Sequence, residues 1–248
     1  MSLALSAVAF VPGLAIGSFL NVVAARVPRK RSIVRPPSAC LSCGHQLAWY
    51  ENVPVVSWLA LRGRCKGCGE RIGVVYPAVE LLTALLIAAS FLAFGWSGTS
   101  FVAAFFCATL VTVSATDLSH RIIPNAVVLP AALVVLVAMT ALHPSAEWAL
   151  GAFGASFFLF LAALAYPKGM GMGDVKLALL LGAMCGRTVP VALMVAMVTA
   201  LVPSIVLFAR HGSAARKMGI PFGPFLSLGG VVALFWGEAI LDAYLSAF

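Results

Sequence analysis

The chain reads as an all-α polytopic membrane protein with about eight transmembrane helices, and three features of its 248 residues carry that reading. Hydrophobic residues make up 62% and charged residues 10%, whereas roughly a quarter of a soluble domain is charged. The apolar runs are long and unbroken, as spanning helices of about 20 residues require, and lack the short alternating strands of a membrane β-barrel. Basic residues gather in the gaps between these runs. A mean hydropathy of +1.05 agrees with all three and excludes a soluble globular domain.

Taken in order, the first run covers residues 2–25. No basic residue precedes it and a basic cluster follows it, so it reads as a retained anchor and not as a cleavable signal peptide. Residues 26–74 form the one sizeable hydrophilic insert. Seven more runs follow, over 75–94, 99–117, 123–142, 148–166, 174–187, 188–209 and 222–246. The sixth of the eight is short, since its residues rise about 21 Å against a hydrocarbon core of about 30 Å. It reads either as a re-entrant segment or as a short complete crossing.

Lys and Arg in short loops mark the cytoplasmic side, and their distribution decides between those two. Nine basic residues lie in the insert: Arg26, Arg29, Lys30, Arg31, Arg35, Arg62, Arg64, Lys66 and Arg71. Arg121, Lys168 and Lys176 fall on the same side, and Arg210, Arg216 and Lys217 join them only if the sixth run crosses. Eight crossings leave only Arg187 of the 16 basic residues outside, so a short complete helix is preferred, with bilayer thinning or burial by neighbours making up the length. The organisation is then a first transmembrane helix at 1–25, a cytoplasmic loop at 26–74, and a seven-helix membrane domain at 75–248. The formal charge of +8 follows from this orientation bias and from attraction to anionic membrane lipid, without nucleic acid as a partner.

The loop carries Cys40-Leu41-Ser42-Cys43-Gly44 and Cys65-Lys66-Gly67-Cys68-Gly69, with 21 residues between the two C-x-x-C units. That spacing approximates a zinc ribbon with Cys40, Cys43, Cys65 and Cys68 as ligands, and each following Gly permits the tight turn around a metal. The other reading is a pair of disulfides, which a loop in a reducing cytosol would not keep. Four thiolates leave no position for water, so such a zinc is structural and folds a loop too small for its own core. Cys107 and Cys185 lie in apolar runs and read as small buried hydrophobes.

Only eight residues are acidic, and a carboxylate beside hydrocarbon is a functional-site candidate by default. Asp117 ends the third span, facing the unfavourable end of the helix dipole; a structural role there would need His120 or Arg121 as partner. Asp174, in Gly171-Met172-Gly173-Asp174-Val175-Lys176, begins the sixth span, where an Asp satisfies free backbone N–H groups. The third span runs inward and the sixth outward, so both aspartates fall at the same depth and can meet. Two adjacent carboxylates share one proton, one acting as base on a water and the other as acid toward a carbonyl oxygen, as in aspartic proteases. Which member does which belongs to the coupled pair. Gly171 and Gly173 would let backbone approach a substrate strand or a neighbouring helix.

Together the motifs are similar to those of one family, the type IV prepilin peptidases, bifunctional leader peptidases and N-methyltransferases of the bacterial inner membrane. The resemblance runs through Gly17-Ser18-Phe19-Leu20-Asn21, Arg35-Pro36-Pro37-Ser38-Ala39-Cys40, both C-x-x-C pairs, Asn52-Val53-Pro54, Tyr76-Pro77-Ala78-Val79-Glu80, Asp117 with Ile123-Pro124-Asn125, the Gly171 to Lys176 run and Pro221-Phe222-Gly223-Pro224-Phe225. It implies that Asp117 and Asp174 cut a basic leader from prepilins and pseudopilins at the cytoplasmic face of the cell inner membrane. It also implies that S-adenosylmethionine methylates the new N-terminal residue. Leu41 and Glu51 depart from the common pattern of Pro and Asp, and neither touches the proposed catalysis.

Glu80 sits near the cytoplasmic end of the second span. Through the resemblance it is a candidate for binding the methyl donor or the substrate amine, against a structural pair with Lys176 or a loop arginine. Lys176 either holds a proton state of the dyad or snorkels to headgroups. Glu238, nearer the outer side, reads as an interhelical hydrogen-bonding group. Two other classes would carry such residues. A transporter would place its acids at mid-membrane on repeated, broken helices, and a non-catalytic zinc-loop adaptor would tolerate loss of both aspartates.

Overall fold

The computed structural model describes residues 2–166, 170–212 and 219–247, with side chains from Ser6 onward; Lys168, Arg216 and Lys217 lie outside the described residues. Nine α-helices follow one another among the described residues: α1 Ser2–Arg26, α2 Val56–Ala60, α3 Val75–Phe94, α4 Gly98–His120, α5 Asn125–Leu142, α6 Glu147–Ala165, α7 Met172–Cys185, α8 Val189–His211 and α9 Gly223–Leu245. Short 3₁₀ turns occupy Trp49–Asn52 and Gly186–Thr188. No strand forms among the described residues, where β pairing is limited to two isolated bridges in the cysteine loop. Seven stretches are long and apolar enough to cross a membrane, and the sixth, Met172–His211, is 40 residues long and contains both α7 and α8.

The chain divides into two compact units, Met1–Ala115 and Thr116–Phe248, with the boundary inside α4. In the first unit α1 and α3 lie against each other. Small residues make this possible: a Cβ on Gly13 would come within 2.8 Å of Ala84 Cα, and one on Gly17 within 2.6 Å of Glu80 Cα. Helices in lipid gain little from apolar burial, so they associate by such close backbone contact, and the Gly13-x-x-x-Gly17 spacing puts both glycines on one face. The large side chains Val8, Val11, Phe19, Leu82 and Leu85 face outward, as a lipid-facing surface requires.

In the second unit the same device sets the course of the chain. Cys185 Sγ at the end of α7 lies 3.9 Å from the Gly230 carbonyl of α9. A Cβ on Gly237 would meet Thr188 Cβ at 2.8 Å, and one on Gly229 would meet the Ala192 carbonyl at 2.1 Å. The chain thus advances along α9 as far as Thr188 and turns at Gly186, whose φ is +51°. It then retraces its path as α8. Among the described residues seven long apolar helices and the short α7 result, in accord with the sequence reading. The shortness of α7 has its answer in burial: ten of its 14 residues are buried, among α5, α6 and α9.

Gly182 and Gly151 hold α7 against α6, since a Cβ on Gly182 would lie 2.1 Å from the Gly151 carbonyl oxygen and 2.5 Å from the Ala152 nitrogen. Backbone atoms cannot move aside as a side chain would. Gly182→Ala is therefore expected to force the two helices apart and to cost about 3 kcal/mol, the upper end of ordinary overpacking. Thermal unfolding in detergent measures it.

Candidate active site

Both aspartates belong to the second unit. α4 runs one turn past its expected end, so Asp117 sits three residues before the terminal His120. Its position at the negative end of α4 is offset by the start of α9. There the Gly223 N–H donates to Asp117 Oδ2 at 2.9 Å, and the positive end of a second helix dipole faces the carboxylate. Pro224 follows at a position where a missing N–H costs nothing. Asp174 is the third residue of α7, and its Oδ2 accepts the Gly171 N–H at 3.2 Å. Each carboxylate is buried and each is held by a glycine amide at a helix N-terminus.

Three contacts draw the two segments together. Gly173 packs on Ile123, six residues after Asp117, where an added Cβ would stand 2.9 Å from Ile123 Cβ. Lys176 Nζ donates to Asn125 Oδ1 at 2.9 Å, tying α7 to the start of α5. The carboxyls themselves are close enough for the charge of Asp117 to act on Asp174. Gly173 thus serves a neighbouring segment of the same chain. Gly171 meets no packing demand, since its added Cβ would only reach Asp174 Oδ2 at 3.6 Å; it contributes its N–H.

Several expectations change here. Lys176 gives one of its N–H groups to Asn125, a partner that the sequence did not indicate. Among the described residues, Asp117 forms no ion pair with Arg121 or His120, and both ring nitrogens of His120 are buried without a hydrogen-bond partner. Glu238 forms an ion pair with Arg187, whose Nε donates to Glu238 Oε1 at 3.0 Å. That pair gives an acidic partner to Arg187, the one basic residue that the sequence reading leaves outside.

The cysteine loop belongs to the first unit. Each C-x-x-C unit closes on itself in the same way: Cys40 N–H donates to the His45 carbonyl at 2.9 Å and Cys65 N–H to the Glu70 carbonyl at 2.8 Å. Gly44 and Gly69 take φ of +73° and +74°, which L side chains resist. Among the described residues no cysteine forms a disulfide. The four loop sulfurs lie within 4.8 Å of one another, with Cys40 to Cys68 at 3.8 Å and Cys43 to Cys65 at 4.0 Å. Ligands on a tetrahedral ion with bonds of about 2.3 Å stand about 3.8 Å apart, so the donor set fits a metal ion. Backbone N–H groups of Cys43 and Ser42 lower the Cys40 thiol to about 6, while Cys68, against a backbone bond at Glu70, is pushed up to about 12 by hydrogen bonds to the other three thiols, so the four sulfurs titrate as one cluster.

Sequence reasoning missed a clamp beneath this cluster. Glu51 has a side chain only 2% exposed, with Oε2 3.0 Å from His45 Nε2 and Oε1 3.9 Å from Lys66 Nζ. The Ala48 N–H, donating at 2.9 Å, and then His45 hold its carboxyl below the usual range. His45 follows the first cysteine pair and Lys66 lies within the second. Their nearness in space, invisible along the chain, is what makes Glu51 a link.

Glu80 is buried in α3, where Gly17 presses on its backbone. Its Oε2 accepts the Val55 N–H at 2.7 Å, and among the described residues no loop arginine forms an ion pair with it. Val55 holds a φ of +60°, a costly conformation for a β-branched residue, and the bond to Glu80 helps fix it. Glu80 also lines a cleft of about 490 Å³ between the cysteine loop and helices α1 and α3.

Residues 11–94 match the bacterial peptidase A24 N-terminal domain, and residues 104–205 match the type IV leader peptidase family. A prepilin leader peptidase/N-methyltransferase of Xanthomonas campestris is 38% identical over 94% of this chain and 92% of its own. Proteins of the same description from Bacillus subtilis and Pseudomonas aeruginosa are 35% and 34% identical, covering 95% and 94% of this chain and 96% and 91% of theirs. No solved structure matches. On identity and coverage together, the chain belongs to the type IV leader peptidase family.

Proposed function

We propose that this protein is a membrane aspartic endopeptidase that removes the leader from type IV prepilins and pseudopilins and N-methylates the residue so exposed. The observation that carries the peptidase reading is the pair of buried carboxylates, each anchored through Oδ2 by a glycine amide and close enough to interact. That leaves the Oδ1 atoms for a shared proton and a water. The ionised member takes a proton from the water, which attacks the scissile carbonyl. The protonated member donates to the carbonyl oxygen, and collapse of the tetrahedral intermediate returns a proton to the leaving amine. A cut just before a lipid-held hydrophobic helix suits a dyad at the end of one membrane helix and the start of another.

The basic loops support an orientation with loop 26–74 and the dyad at the cytoplasmic face of the inner membrane. Domain by domain, the loop between the first helix and the seven-helix remainder is folded by zinc on Cys40, Cys43, Cys65 and Cys68, and Glu80 serves the methyl donor or the substrate amine. S-adenosylmethionine supplies the methyl group when bound. Zinc here supplies structure and no open coordination site. Metal analysis of the purified protein is expected to find about one zinc per chain, and Cys65→Ser is expected to lose it. Mass spectrometry of a candidate prepilin, incubated with and without S-adenosylmethionine, tests the whole reading. A shortened product gains one methyl mass only with the donor present; an uncut client contradicts it.

A further inference from the structure

We propose that His120 is a substrate-binding residue of the peptidase site, pairing its ring nitrogens with the backbone of the leader one or two residues before the cut; this rests on the leader-peptidase reading above. His120 ends α4 in the second unit, three residues after Asp117, and side chains at that spacing share one face of a helix. Both ring nitrogens are buried without a hydrogen-bond partner among the described residues, although the residue as a whole is half-buried and its neighbours Ser119 and Arg121 are exposed. The ring thus keeps its polar atoms away from water that other atoms of the residue reach. A buried nitrogen without a partner has lost the hydrogen bonds it made to water, and native structures seldom leave such a group without a use for it. Two other histidines show the usual outcome. His211 ends α8 as His120 ends α4, and its Nδ1 lies 3.3 Å from the Leu207 carbonyl oxygen, while His45 Nε2 meets Glu51.

The backbone beyond His120 fixes its place at a further cost. Arg121 takes a φ of +53°, a left-handed conformation that is unfavourable for a residue with a Cβ, and its N–H donates to the Asp117 carbonyl at 2.9 Å. That turn stops α4 directly after His120 and ties its end to Asp117. Three helical residues rise about 4.5 Å, which matches about one and a half residues of extended chain at about 3.3 Å each. In the orientation above α4 runs toward the cytoplasm, so His120 lies on the leader's side of Asp117, and the pilin helix extends the other way into lipid. An extended segment brought to a buried site carries an N–H and a C=O on each residue, and both must find partners. An imidazole can offer one donor and one acceptor, which is what that backbone lacks.

Prepilin cleavage by the full chain in detergent, at varied substrate concentration, tests this on His120→Leu and His120→Gln, with thermal unfolding of each variant alongside. Leucine removes both nitrogens, and since they bond to nothing in the free protein, the unfolding temperature is expected to stay or to rise. KM is expected to rise about tenfold, the scale of one hydrogen bond to a buried partner, with kcat kept, as for a contact made equally in the ground and transition states. Glutamine supplies a donor and an acceptor and is expected to recover most of that loss. A His120→Leu protein that cuts with the wild-type KM overturns the assignment. So does a loss confined to kcat, which places His120 on the dyad and not on the leader. A leucine variant that unfolds earlier, with glutamine no better than leucine, makes the role structural and also overturns it. A wild type that leaves prepilin uncut defeats the peptidase reading itself.

Discussion

Asp117→Asn and Asp174→Asn are each expected to lower leader cleavage by on the order of 10³-fold or more, the scale seen when one member of a catalytic unit is lost. Asparagine has nearly the shape of aspartate, and its carbonyl oxygen can still accept from Gly223 or Gly171. The helix starts of α9 and α7 therefore keep their ties. What disappears is the ability to share a proton and to hold a charge, and without these neither water nor carbonyl is activated. Initial rates on a purified prepilin measure the loss. A membrane adaptor carrying the same cysteine loop would keep its function in both variants, so this measurement also separates the two classes.

Gly223→Ala is expected to cut the same rate by about 10²-fold, as misplacement of a catalytic group by a fraction of an ångström to an ångström does. An added Cβ would stand 2.8 Å from Asp117 Oδ2 and 3.2 Å from its Cβ and Cγ. The carboxyl must move, because the α9 backbone that carries the methyl is packed against α8. Gly171→Ala offers the internal comparison. Its methyl would meet Asp174 Oδ2 at the ordinary distance of 3.6 Å, and a smaller loss is expected. Equal effects from both would mean that crowding at Asp117 is not what matters.

The membrane helices were legible because their signal is local: a run of apolar residues needs no tertiary information to be read as a span. Their predicted limits differ from the observed ones by at most three residues, the largest difference being Asp117 as against His120 at the end of α4. The cysteine cluster was legible for a related reason, since the C-x-x-C spacing prescribes its own turn and the two turns are alike. The aspartates could be paired in advance only through helix direction, which fixes depth and not contact. Gly223 could not be assigned at all, lying 106 residues from Asp117. Glu51 was legible only as a departure from a pattern, because its partners His45 and Lys66 come from two different C-x-x-C segments. The bond from Lys176 to Asn125 was not legible for the same cause, the two residues lying 51 apart along the chain.

The decisive assay compares prepilin cleavage, by quantitative mass spectrometry, for the wild type, Asp117→Asn, Asp174→Asn and the protein carrying both changes. If one proton is divided between the two carboxyls, either change alone disables the pair, and the doubly changed protein is no slower than the worse single one. Multiplying losses, or substantial cleavage by either single variant, would show that the two acids act separately and that bond breaking lies elsewhere in the molecule.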